Sequence, residues 1–214
     1  MRFLPTSPEP VSAWRWTPAE PSRDLVGAIA LSRELIDCFG PSGLIGRYEP
    51  VVGWRAEDGA TVPWETLVMR PRATPAEAFA ERILGSRPAV TPDLRPARLS
   101  FLGEGSVLLP EGKGSGRTHD GLIEVRALLH EEHLQFEVRV YHDIWAERDF
   151  FGTPQPEVHE LNAPRLAAGL EAVEQVLGFP GTPGGPTFFG TPYNYGVSAH
   201  VADDGAGIDV SDRL

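Results

Sequence analysis

Alternating apolar and polar side chains over residues 122–151, LIEVRALLHEEHLQFEVRVYHDIWAERDFF, constrain this chain more than any other stretch. Ile123, Val125, Ala127 and Leu129 alternate with Glu124, Arg126, Leu128 and His130. Leu134, Phe136, Val138 and Val140 alternate with Gln135, Glu137, Arg139 and Tyr141. A period of two sends each set to its own face of a strand. One apolar and one mostly charged face predict two antiparallel strands packed on a core from one side. The link through Glu131, Glu132 and His133 has no Gly or Asn, so a loop longer than a two-residue primed turn is expected. Arg126 and Glu137 are placed to pair across the ladder.

Extended by parity, the second strand puts His142 on the face of Phe136, Val138 and Val140. Tyr141 and Asp143 fall on the other face. A buried imidazole needs a hydrogen-bond partner, because an unpaired polar group in a core is costly. Trp145, Glu147, Asp149 and Phe151 follow, and Glu157, His159 and Glu160 come soon after. This is the densest run of titratable groups in the chain. Two histidines among carboxylates suit acid–base chemistry or metal ligation, and equally a satisfied core histidine with a solvated rim. His142, Asp143 and His159 are the candidate catalytic residues.

The other elements fit around this hairpin. Residues 22–39 read as a helix, with Ser22 as cap and Gly40-Pro41 as stop; Leu25, Ala28, Ile29, Ser32, Leu35, Ile36 and Phe39 form its apolar face. Residues 47–55 and 61–69 read as strands joined at Glu57-Asp58-Gly59. Thr74-Pro75-Ala76-Glu77 matches a capping box opening a short helix. Residues 98–102 and 106–109 read as a further strand pair turning at Gly103-Glu104-Gly105. The Gly-rich run 110–121 reads as a hairpin loop. Residues 152–161 read as a linker, after which Asn162 caps a helix with Leu166, Leu170, Val173 and Leu177 in one stripe. A Pro/Gly loop carrying Phe188, Phe189, Tyr193 and Tyr195 leads to a last strand at 197–201.

Adjacent hairpins with helices at intervals imply an α+β fold. The expectation is a single domain: an antiparallel sheet of about six strands with two or three helices mainly on one face. Residues 1–21, with five prolines, read as an extended arm, 22–201 as the domain, and 202–214 as an acidic flexible tail.

Charge narrows the function classes. A net charge of −11 opposes non-specific nucleic-acid binding, which depends on cations meeting phosphates, and favours a basic partner. The single cysteine, Cys38, permits no internal disulfide. No run is long and apolar enough to span a bilayer, and the N-terminal residues lack the apolar stretch of a secretion signal, so a cytoplasmic setting is expected. The sequence leaves the oligomeric state open.

Two motif-like runs do not meet the geometry of the motifs they suggest. His130-Glu131-Glu132-His133 spaces its histidines at i and i+3 in a loop, whereas a zinc helix needs i and i+4. GKGSGR lacks the spacing of a phosphate loop and precedes a strand. No cofactor or metal is expected. The sequence therefore supports two readings. One is an acidic protein-binding module, for example a toxin-neutralising immunity-type protein, using Tyr141, Trp145, Glu147, Asp149, Phe151, Phe189, Tyr193 and Tyr195. The other is a small-molecule enzyme, cofactor-independent or metal-assisted, built on His142 and its carboxylate neighbours.

Overall fold

The computed structural model describes residues 5–19, 24–69, 74–89, 93–110 and 117–214. In chain order the elements are β1 (Ser12–Trp16), α1 (Leu25–Asp37), β2 (Arg47–Arg55), β3 (Thr61–Leu67), α2 (Ala76–Gly85), β4 (Arg95–Val107), β5 (Arg117–Leu129) and β6 (Leu134–Val140). A one-turn 3-10 helix (Asp143–Trp145), α3 (Pro156–Leu177), β7 (Thr182–Pro183), β8 (Thr191–Tyr193) and β9 (Gly196–Ser198) follow. Seven strands form one antiparallel sheet in the order β3-β2-β4-β5-β6-β1-β7, and β8 and β9 form a separate hairpin. The fold is thus α+β in one domain, with seven strands where about six were expected.

The hairpin β5–β6 has the register that its alternation predicts. Ile123 faces Val140, Val125 faces Val138, Ala127 faces Phe136 and Leu129 faces Leu134. A buried row crosses the sheet through Trp14, Val138, Val125, Phe101 and Pro50. Burying large side chains along such rows is the main force holding the layers together. Helix α1 packs over β5, with α2 and α3 beside it. Its buried residues are Ala28, Ile29, Ser32, Leu35 and Ile36, the expected face.

The opposite face of β5, β6 and β1 carries Glu124, Arg126, Glu137, Arg139 and Arg15. The charges pair differently from the expected Arg126–Glu137 contact. Glu137 accepts from Arg15 Nε at 2.7 Å and from Arg139 Nε at 2.8 Å, and Arg126 Nε donates to Glu124 at 2.6 Å. Two of these three pairs join residues two apart on one strand, because i and i+2 share a face and an arginine can lie along it. The arginine stems cover both carboxylates, so Glu124 and Glu137 are buried although they lie on the charged face.

Several boundaries differ from expectation. The stretch read as an N-terminal arm supplies β1, which pairs with β6 along its length. Residues 95–107 are one strand rather than two. Helix α1 is capped by Asp24, whose Oδ1 accepts from the Gly27 N–H at 2.6 Å; the expected cap, Ser22, and the Gly-rich residues 111–116 lie outside the described residues. Helix α2 starts at Ala76 with Pro75 in the cap position, one residue later than the capping-box reading. Helix α3 starts at Pro156 rather than after Asn162, and Pro164 lies inside it. Asn162 is not a cap. It is buried within the helix, where its amide exchanges two bonds with the Leu108 backbone, N–H to Oδ1 at 3.1 Å and Nδ2 to C=O at 2.8 Å. The side chain thereby satisfies a backbone unit just past the end of β4. Residues 196–198 join the small hairpin, not the main sheet.

Among the described residues, no helix is long and apolar enough to cross a membrane.

Candidate functional site

The chain leaves β6 at Val140 and keeps an extended backbone through His142, which is fully buried as parity predicts. Its ring meets His119 edge to face, with 4.4 Å between centroids, and its Nε2 lies 3.4 Å from Thr6 Oγ1, a long contact. Among the described residues, Nδ1 has no partner in good hydrogen-bonding geometry. Burial, reinforced by His119, pushes the imidazole pKa down to about 4; the nearby backbone groups of Asp120 and Pro5 act weakly the other way. His142 is therefore neutral at pH 7.

Asp143 does not join a solvated rim. The 3-10 turn folds its side chain inward, where Oδ2 accepts the Phe150 N–H at 3.0 Å. Gln155 Nε2 donates to the carbonyls of Asp143 and Ala146, at 2.7 and 3.2 Å. Asp149 Oδ1 accepts the N–H groups of Phe151 and Thr153 at 3.1 and 2.8 Å, shaping the turn as aspartate commonly does. These bonds hold residues 143–155 in one conformation.

Other expected binding residues are also used internally. Trp145 is fully buried and Phe189 nearly so, with the Phe189 ring against Phe150 at 5.4 Å between centroids. Tyr141 donates to Glu124; burial, then that carboxylate, raises its pKa. Tyr195 donates to Glu174 of α3, and burial followed by this bond raises its pKa as well.

The remaining candidates face solvent. Phe151 is 56% and Tyr193 69% exposed, and the Glu147 side chain is exposed. Glu147, His159 and Tyr193 line one cleft of about 400 Å³, with Arg148, residues 196–199 and Val201 completing its wall. A second cleft, of about 1020 Å³, opens beside β2, β3 and β4. His142 lines neither.

The sequence reading missed how the C-terminal residues buttress this face. Arg148 donates to the carbonyls of Gly152 and Gly205, at 3.1 and 3.0 Å, and the Val210 N–H bonds the Phe150 carbonyl at 2.8 Å. The stretch expected as a loose acidic tail is thereby laid along residues 148–152, with the Arg213 guanidinium 3.9 Å over the Phe188 ring. Nothing local in the sequence marks Arg148 as the bridge, because its acceptors are backbone carbonyls. His119 was missed for a similar reason: its strand partner is Gly105, and only the fold brings it to His142.

Among the described residues, no group of three or more His, Cys, Asp or Glu side chains is arranged to hold a metal ion. His130 and His133 stack on each other at 4.3 Å between centroids. Comparison with protein-family profiles, curated proteins and solved structures finds no match to this chain.

Proposed function

We propose that the chain is an acidic protein-binding module of the toxin-neutralising immunity type, docking a basic surface of its partner through the face around Phe151 and Tyr193. The observation that carries this reading is that Tyr193, 69% exposed, shares a cleft with Glu147, while Phe151, 56% exposed, stands on the loop held by Arg148, Asp149 and Gln155. Aromatic anchors on a pre-formed surface bind without a large ordering cost. The overall negative charge speeds approach to a cationic partner and makes association sensitive to salt. The test is affinity capture from cells of the native source with the wild-type protein and with a Glu147→Lys/Phe151→Ser/Tyr193→Ser variant. A basic protein retained by the wild type, released by salt and absent with the variant supports the reading. Identical captures by the two proteins refute it.

A second reading is favoured by one observation: His159, Glu147 and Tyr193 line a single cleft. An imidazole, a carboxylate and a phenol around about 400 Å³ suit acid–base chemistry on a small molecule, with His159 rather than His142 as the proton carrier. Turnover of a small molecule that is abolished in His159→Ala, with the melting temperature retained, would favour the enzyme over the binder.

A further inference from the structure

The larger cleft, about 1020 Å³, carries an unbalanced charge. Among the described residues, Asp37, Glu49, Glu104 and Asp120 line it, with Arg47 the one cation. Among the described residues none of these five side chains forms an ion pair, whereas Glu124 and Glu137 elsewhere on the sheet are both paired with arginine. Glu104 and Asp120 moreover face each other directly across β4 and β5. Like charges in that position destabilise a sheet. The arrangement thus costs stability, and among the described residues it forms no ion pair that would offset the cost.

The same cleft has an apolar wall. Leu67, Met69 and Leu102 line it and are 53%, 76% and 42% exposed. The Met69 backbone is held in place from α2, where Arg82 Nη1 donates to its carbonyl at 3.1 Å. A methionine thioether adapts to varied apolar partners, and a concave wall bearing one sign of charge concentrates the opposite sign.

We propose that this cleft seats an extended segment of a protein partner in which Arg or Lys alternates with aliphatic residues. The cationic heads meet the four carboxylates and the aliphatic side chains cover Leu67, Met69 and Leu102. The occupant's charge follows from the four carboxylates, which form no ion pair among the described residues, and its apolar content from the exposed wall. The proposal is independent of the Phe151–Tyr193 face, because the two clefts share no lining residue.

Methionine-methyl labelling isolates this site, since the chain has only two methionines, Met1 and Met69. The probe is the synthetic peptide acetyl-Leu-Arg-Leu-Lys-Leu-Arg-amide, titrated while the Met69 methyl signal is followed by NMR. The expected result is a saturable shift. It weakens about tenfold in Glu49→Gln/Glu104→Gln, the effect of removing two nearby charges at the surface, and also weakens in Leu102→Ser. Glu147→Gln leaves it unchanged. Absence of a saturable shift, equal affinity in the charge-neutralised variant, or an equal response to a peptide with Glu replacing every basic residue overturns the proposal. The reading at Phe151 and Tyr193 stands or falls separately, since its variants do not touch Met69.

Discussion

The rings of His119 and His142 meet edge to face, 4.4 Å apart between centroids, and only His142 is wholly shut off from water. A proton on His142 would sit in the core beside a second imidazole, with Thr6 and the backbone of Pro5 and Asp120 as the nearby polar groups among the described residues. The ring therefore stays neutral down to a pH of about 4, whereas in the unfolded chain it titrates near the ordinary value of 6.5. Between those two values the unfolded state binds more protons, so stability is complete above pH 6.5 and falls as the solution is acidified towards 4. The full loss is on the order of 3 kcal/mol. Thermal melts at successive pH values should show wild type and His142→Phe diverging across this window. Parallel curves from pH 7 to 4 would mean that another group carries the acid sensitivity.

Glu137 adds to the acid sensitivity in the same direction, at lower pH. Burial by itself would raise its pKa, but Arg139 and then Arg15 bring it below the ordinary carboxylate value. Its contribution is therefore present above pH 4.5 and disappears as pH falls through the lowered value. Glu137→Ala leaves two arginines without their acceptor. Because the Arg15 side chain is 48% exposed, water compensates part of the loss, and about 1–2 kcal/mol is expected at pH 7. Denaturant unfolding at pH 7 and at pH 3.5 measures this: the gap between variant and wild type should shrink at the lower pH.

These two residues mark what was legible in the sequence. Alternation along β6 and its extended continuation fixes which side each one occupies, because a one-residue slip would expose every core side chain. The helix faces of α1 and α3 were legible for the same reason, their period being read from apolar residues. The glycines misled. Gly103 and Gly105 suggested a turn, yet they lie inside β4 because residues 44–46 cross it: a Cβ on Gly105 would come 2.0 Å from the Leu44 carbonyl oxygen, and one on Gly103 2.8 Å from Ile45 Cγ1. A glycine kept for close approach looks, in sequence, like a glycine kept for a turn. The site was legible only in outline. Trp145 and Tyr193 are both aromatics in loop-like sequence, and only the three-dimensional path decides that one closes the core while the other faces solvent.

The outward position of Tyr193 gives a binding prediction. If the proposed complex forms there, Tyr193→Ala should cost about 2 kcal/mol or more, felt mainly as faster dissociation. Glu147→Lys should act differently, slowing association and reducing its salt dependence, because its carboxylate contributes field rather than packing. Surface plasmon resonance with the captured partner at two ionic strengths separates the effects. A Glu147→Lys variant that alters only the dissociation rate would contradict the assigned role.

The rigidity of the face itself rests on a backbone contact that admits no side chain. Gly152 has φ of +75°, and a Cβ on Gly207 would lie 2.1 Å from the Gly152 carbonyl oxygen. That oxygen also accepts from Arg148 Nη1 and cannot move away without breaking the bond. Gly207→Ala must therefore push residues 202–210 off the loop, straining the Arg148–Gly205 and Val210–Phe150 bonds on either side. Overpacking of this kind costs about 1–3 kcal/mol. The main sheet takes no part in the contact, so the expected result is a modest drop in melting temperature with faster amide exchange confined to residues 148–152 and 202–210. Partner binding should weaken in step, since an unbraced loop must pay to order Phe151 on docking. Unchanged exchange in both segments would show that the C-terminal stretch does not brace the face.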